Sequence, residues 1–545
     1  MIIYRAYLEQ SQNGQVIAHV LSVPGCFGSG VSETAALTAV TQTLQTMCNE
    51  SGEIEVVVAE RMGKEPLFTP ERQPISRDEV DRYLQITAQN RAELLALVRP
   101  LITAMRNWKP TANRMSINEI LRHIGGGELW YISRLTGKEP VLTEGGIMGV
   151  LRAVRRTAVT TIQQFSDDQL AAVQTQPHFT NHPQEEWSVR KVLRRLLEHE
   201  REHIAHIQEI LAEWRLYFEA RLQAERADFL WQLRGLSADT LTTQEALPGW
   251  TVKNLIAHVA YYDAFHTKRM QMISDGRLAD IQEIGDEEAL ARYNADLMTQ
   301  FETIPLEQAV TMLLKERGGF RTVLKRLSDA ELHRRIAMPW GWQTSMRAWA
   351  NWRYLHDMDH GRQLTQMRQT LPPEKVREAT PKFITQAILN ATRKAFLALL
   401  PLLPPDELTT RPVCGVWTMK DLLGHLTDWE IVAVDGLRQL AAGQIPEFDY
   451  TITDFDAFNN PHAAARKEQP WDEVWQDFQS TRAEMMQLLA ELSDHDLACT
   501  FKTPWGATLP GYFWPLIWAG HEQEHGVDVR HALQLANWPK RLVSH

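Results

Sequence analysis

From about residue 78 onward the chain is written in one hydrophobic period. Apolar residues recur every three or four positions over long stretches, broken by loops that carry Pro and Gly. That pattern predicts amphipathic helices packed into bundles. The first 62 residues are patterned differently. Residues 4–8 and 16–23 are short segments rich in β-formers, separated by Gln12-Asn13-Gly14, whose Asn-Gly pair signals a hairpin. Residues 24–30, from Pro24 to Gly30, read as a turn. Ser32 caps a predicted helix that runs to about Cys48, with Ala36, Leu37, Val40, Leu44 and Met47 as its apolar stripe. Residues 53–59 then alternate as a strand. The fold class expected is mainly α, with a small α+β (ββαβ) module at the N-terminus. Residues 63–77, with Lys64-Glu65-Pro66 and Thr69-Pro70, read as a linker.

The helical part repeats itself. Trp250-Thr251-Val252-Lys253-Asn254-Leu255-Ile256-Ala257-His258 aligns without gaps on Trp417-Thr418-Met419-Lys420-Asp421-Leu422-Leu423-Gly424-His425, and 115–123, ending in His123, follows more loosely. Each segment opens with a Ser or Thr cap, and an acid follows each histidine five residues on: Glu128, Asp263 and Glu430. Further along, Pro339-Trp340-Gly341 precedes His356 at the distance at which Pro504-Trp505-Gly506 precedes His521; in the first copy Trp187-Ser188 opens the matching helix. Three related units are therefore expected at 78–214, 215–372 and 376–540, each with four helices. No Pro or Gly separates the helix of 188–214 from that of 217–233, which predicts a nearly continuous helix or a tight kink. The Pro-rich residues 371–381 read as a looser junction.

The chemistry sits in a motif that occurs three times. His199-Glu200-Arg201-Glu202-His203, His356-Asp357-Met358-Asp359-His360 and His521-Glu522-Gln523-Glu524-His525 share the form His-acid-x-acid-His. Histidines four apart lie on one helix face, a spacing suited to gripping a metal ion. A further histidine from the upstream helix (His123, His258 or His425) completes a three-histidine set with coordination positions left open. Glu202, Asp359 and Glu524 lie beside the histidine face, where they can orient a ligand imidazole or act as a base. Glu200, Asp357 and Glu522 point further round, as expected of solvated or salt-bridged residues. Two copies match the His-Glu-x-x-His pattern of zinc proteases, but a protease takes its third ligand downstream and needs the glutamate, which the second copy replaces with Asp357. Gly125-Gly126-Gly127 after His123 either opens room beside the metal or marks a degraded, kinked site. Tyr261-Tyr262 and Asp428-Trp429, at the corresponding places, read as packing residues; His206 and His266 read as incidental.

Bulk properties narrow the classes. A net charge of −11 over 545 residues argues against a general nucleic-acid-binding surface. The four cysteines are scattered, with no pair at metal-ligand spacing, as in a reducing compartment. No apolar run approaches membrane-spanning length, and residues 1–5 lack the layout of a signal peptide. A soluble, cytoplasmic protein with no membrane partner is expected.

Two resemblances follow from these residues. Residues 22–30 (SVPGCFGSG) and 32–40 (SETAALTAV), within 1–62, resemble the HicB-like domain of bacterial antitoxins. That resemblance implies a protein partner. The capped segments ending in His258 and His425, the acid five residues on, and the distant histidine pair resemble the DinB-like four-helix-bundle superfamily, three times over. This implies up-up-down-down bundles with a divalent metal, commonly zinc or nickel, held by His123, His199 and His203; by His258, His356 and His360; and by His425, His521 and His525. Characterised relatives include S-transferases and isomerases that use a low-molecular-weight thiol, and hydrolases of small molecules. The function expected is metal-dependent chemistry on a small-molecule electrophile, by thiol transfer or hydrolysis, in detoxification or stress response. The competing expectation is a non-catalytic regulatory scaffold.

Overall fold

The computed structural model describes residues 2–10, 14–48, 54–63 and 67–535. Gln12 and Asn13 of the expected hairpin turn, Lys64-Glu65-Pro66 of the expected linker, Glu53 and the end of the third unit beyond 535 lie outside the described residues. The chain is mainly helical, with one small sheet module first, as its patterning predicts. Among the described residues no helix is long and apolar enough to cross a membrane. The chain divides into two compact units, one of Met1–Lys109 and Asn113–Leu211, the other of Pro110–Ala112 and Ala212–His545.

In the first unit, strands β1 (Ile2–Gln10), β2 (Val16–His19), β3 (Phe27–Gly30) and β4 (Ile54–Met62) form one sheet in the order β3-β2-β1-β4. β1 pairs antiparallel with β2 and parallel with β4, and the helix Glu33–Cys48 crosses between them. Ser32 caps that helix by accepting from the Ala35 N–H. The segment 24–30 is more than a turn: after Pro24-Gly25, Phe27–Gly30 is a third strand pairing with β2, so the module is βββαβ. Its glycines hide it from a propensity reading, yet they are required. A Cβ on Gly28 would stand 2.2 Å from the Val40 nitrogen, and one on Gly30 2.5 Å from the Ala35 Cβ. The helix backbone lies directly on the strand.

The first bundle joins the helices Arg77–Val98, Ile117–Thr136 and Ile147–Gln163 to the N-terminal half of Val189–Trp231. This last is a single helix of 43 residues, the continuous form of the two alternatives that the sequence allows. Buried side chains tie the module to this bundle. His19 Nδ1 lies 2.8 Å from Glu198 and Nε2 3.3 Å from Glu9, while Arg194 reaches Glu71 at 2.7 Å and Glu198 at 3.0 Å.

In the second unit, the C-terminal half of that long helix joins Val252–Ser274, Leu306–Arg326 and Met346–Thr370, and a third bundle follows as Lys382–Leu397, Met419–Ala441, Trp471–Glu491 and Trp514–Ala532. One hydrophobic core runs through both, from Phe229 and Leu255 to Leu437 and Trp514. Two-stranded hairpins mark the long connections: Glu245–Leu247 with Trp250–Thr251, and Pro412–Cys414 with Trp417–Thr418, enter the second helix of each bundle. The junction read as loose is anchored: the Gly235 N–H donates to Thr380 at 2.6 Å, and Glu378 accepts from Ser237 and Thr240, each at 2.6 Å.

Candidate metal centres

Each upstream histidine sits in the second turn of a capped helix. Ser116, Thr251 and Thr418 accept from the N–H three residues on, which fixes the helix start and thus the direction of His123, His258 and His425. The fourth helix of each bundle brings the histidine pair opposite. In the first bundle His199 Nε2 lies 3.1 Å from His123 Nε2 and 3.2 Å from His203 Nε2. In the second, His356 Nε2 lies 3.1 Å from that of His258 and 3.0 Å from that of His360. In the third, His521 Nε2 lies 3.0 Å from that of His425 and 3.1 Å from that of His525. All nine histidines expected from the sequence are brought together in these three sets.

Three Nε2 atoms cannot satisfy one another at such distances, because a neutral imidazole carries one ring proton. A tetrahedral divalent ion at about 2.05 Å from each nitrogen holds the nitrogens about 3.3 Å apart, so the donor set fits a metal. Burial, reinforced by neighbouring histidines, pushes His199 down to about 2 and His203 to about 4. Burial does the same to His258 and His425, each at about 3, and holds His356 and His521 well below the usual histidine range. The imidazoles of His199, His203, His258, His356, His425 and His521 are held in the neutral form that ligates.

The walls differ between copies. Trp250 and Trp417 pack their rings 4.9 and 4.6 Å from those of His258 and His425. Tyr262 lies 5.4 Å from His356, and Trp429 6.3 Å from His521. Tyr262 also donates to Asn294, and Trp429 to Asn459, both on an extra helix between the second and third helices of their bundles. The first bundle has Gly127 at this place, where a Cβ would stand 2.7 Å from the His199 ring. Tyr131, one turn further on, supplies the aromatic contact at 5.7 Å. The three glycines lie inside one unbroken 20-residue helix, and Gly127 is the one whose missing Cβ leaves room for His199.

The acids divide in an instructive way. Glu202, Asp359 and Glu524 are exposed, and Asp359 pairs with Arg362 at 3.6 Å. Hydrogen bonds that orient ligand imidazoles come from residues three positions past the second histidine. Gln363 meets His360 Nδ1 at 2.7 Å and Asp528 meets His525 Nδ1 at 3.0 Å, whereas His206 stacks on His203.

Glu200, Asp357 and Glu522 are salt-bridged and fully buried together with the acids that follow the upstream histidines. In the second bundle Arg226 donates to Asp263 at 2.9 Å and to Asp357 at 3.0 Å, while Arg317 donates to Asp263 at 2.9 Å and pairs with Asp357 at 2.8 Å. In the third, Arg393 and Arg482 clasp Glu430 and Glu522; in the first, Arg91 and Arg155 clasp Glu128 and Glu200. Each of the four helices gives one charge. Burial pushes the Asp263 carboxyl up, and the charges of Arg317, Arg226 and Arg353 reverse that and hold it below its ordinary value; Arg482 and Arg393 do the same for Glu430. Sequence reasoning missed these arginines, although the first of each pair stands 37 residues before its acid in all three copies.

A family model for the DinB superfamily matches residues 86–207, 221–364 and 388–527. The chain belongs to the DinB superfamily. Its three repeats coincide with the three histidine sets, and superfamily domains of this kind bind metals. No curated protein and no solved structure matches the chain.

Proposed function

We propose that each DinB repeat holds a divalent metal, zinc or nickel, on its three histidines, and that the protein is a metal-dependent enzyme for small electrophiles. The observation that carries this reading is the convergence of three Nε2 donors, repeated three times, with no fourth protein ligand closing the set among the described residues. Bound there, a divalent metal supplies Lewis acidity that activates water or a low-molecular-weight thiol and polarises a substrate carbonyl. The aromatic walls formed by Tyr131, by Trp250 with Tyr262, and by Trp417 with Trp429 exclude water and receive an apolar substrate. Of the three exposed acids, Glu202 is best placed as a base, since it borders a cavity of about 330 Å³ lined also by Tyr131, Trp130, Trp187 and Arg195. Thiol transfer and hydrolysis both fit this site, and a cytoplasmic role in detoxification or stress response suits either.

Elemental analysis of protein purified without chelator tests the metal. His123→Ala, His258→Ala and His425→Ala should each lower the bound metal by one equivalent with the helical content kept. A wild-type chain without metal sinks the proposal. The second reading is a scaffold, favoured by the burial of the HicB-like module's His19 against the first bundle. In that case the same variants lose metal with no loss of turnover on any electrophile and thiol pair.

A further inference from the structure

Each triad uses the Nε2 nitrogens of its histidines, and at His525 the opposite ring nitrogen faces a second donor set. Asp528 Oδ2 lies 3.0 Å from His525 Nδ1, and Cys414 Sγ lies 3.3 Å from that oxygen and 3.9 Å from Nδ1. A tetrahedral ion bonded at about 2.0 Å to nitrogen and oxygen and about 2.3 Å to sulfur spaces its donors about 3.3–3.6 Å apart. The three separations bracket that range. A cavity of about 260 Å³, lined by Cys414, Asp528 and His531, adjoins the set and leaves room for water at a fourth position.

We propose that the third repeat binds a second divalent cation of the zinc class through Cys414, Asp528 and Nδ1 of His525, whose imidazole bridges it to the triad. Binding forms a metal–sulfur bond, a metal–oxygen bond and a metal–nitrogen bond, and releases the thiol proton of Cys414 and the Nδ1 proton of His525 to solvent, with no change of oxidation state. Thiolate, imidazole and carboxylate together suit zinc. Only the bridge rests on the triad reading; the three donors of the new site are assembled without it.

The other repeats act as internal controls. In the entry hairpin Cys414 pairs with Trp417 as Leu247 pairs with Trp250, so the second repeat has leucine where the third has the thiol. At the place of Asp528 the second repeat has Gln363, which bonds to His360, and the first has His206. Among the described residues, only the third repeat gathers a further donor set of this kind beside its triad.

Cobalt(II) titration of the full chain separates the sites, because a triad contains no sulfur and gives no thiolate-to-cobalt charge-transfer band. The wild type should develop that band. Cys414→Ser should abolish it and lower bound metal by one equivalent, and Asp528→Asn should weaken it. His425→Ala, which removes a ligand of the triad only, should keep it. The double variant Cys414→Leu with Asp528→Gln, the pair found in the second repeat, guards against misfolding and should bind one ion fewer with its helical content intact. A wild type that fills its triads without a thiolate band, or a band that survives Cys414→Ser, overturns the second site and leaves the triad reading standing. A Cys414-dependent band in a chain whose triads stay empty does the reverse.

Discussion

Gly126 and Gly127 are neighbours in one helix, yet they answer to different constraints. A Cβ on Gly126 meets nothing within 4 Å, whereas one on Gly127 meets the Cε1 of His199 at 2.7 Å. Glycine inside a helix costs about 1 kcal/mol against alanine. Gly126→Ala should therefore stabilise the first bundle by about 0.5–1 kcal/mol, read as greater hydrogen-exchange protection along Ile117–Thr136, with metal binding unchanged. Gly127→Ala should displace the central ligand of the triad and weaken metal binding at that site by at least tenfold in a chelator titration. Equal effects from the two substitutions would refute the claim that Gly127 makes room for His199. The sequence shows three glycines after a histidine but does not show which one faces the ligand, because that depends on how the fourth helix docks.

At the scale of helices, the arginine–acid clasp sets the register that assembles each triad. It binds one charge from each of four helices; its acid on the fourth helix directly follows a ligand histidine, and its acid on the second stands five residues past one. Removing one partner of a buried ion pair costs about 3–5 kcal/mol, since the remaining charge is left without compensation. Asp357→Asn leaves Arg226 and Arg317 facing one carboxylate. It should destabilise the second bundle by about 3 kcal/mol and loosen its metal, while the other two sites keep theirs; hydrogen exchange along Val252–Ser274 measures the first effect. An unchanged exchange rate would show that the clasp is dispensable. A second prediction concerns His19, whose ring meets Glu198 and Glu9. Burial lowers its proton affinity, but the charge of the Glu198 carboxylate and the hydrogen bonds that Glu198 and Glu9 accept from the ring more than restore it, and the folded-state value is raised above 6.5. The stability that His19 contributes is thus fully present below pH 6.5 and is lost as pH rises through the folded-state value. Protection of strand β2 should fall over that upper range in the wild type, and His19→Gln should remove the dependence. The helices, the capped starts and all nine histidines were legible because they rest on local period and on repetition. The arginines were not: their 37-residue spacing to an acid acquires meaning only once two distant helices are known to face each other. The third strand was hidden by glycines that the helix packed on it demands.

Across the whole chain, three copies of one design have diverged in what stands behind the last ligand. His525 donates its Nδ1 proton to a carboxylate, Asp528, an outer partner that strengthens Nε2 as a metal ligand until a second ion displaces that proton. His360 meets the neutral Gln363, and the Nδ1 of His203 is buried with no hydrogen-bond partner among the described residues. A partner that accepts the ring proton raises ligand basicity and fixes the ring, and its loss costs about 10–100-fold in metal affinity. The first site is further loosened because His123 is exposed. Affinity should therefore rise from the first repeat to the second to the third. Competition with a graded series of chelators should strip the metal in that order. The assignment follows from variants that each lack one triad: His425→Ala should remove the last ion to leave, and His123→Ala the first. Asp528→Asn keeps the ring orientation but exchanges the carboxylate for an amide, and should bring the third site down to the level of the second. If the three sites empty together, or the third empties first, the outer partner of the ligand is not what distinguishes the copies, and the difference must lie in the aromatic walls, where Gly127, Tyr262 and Trp429 stand at equivalent places.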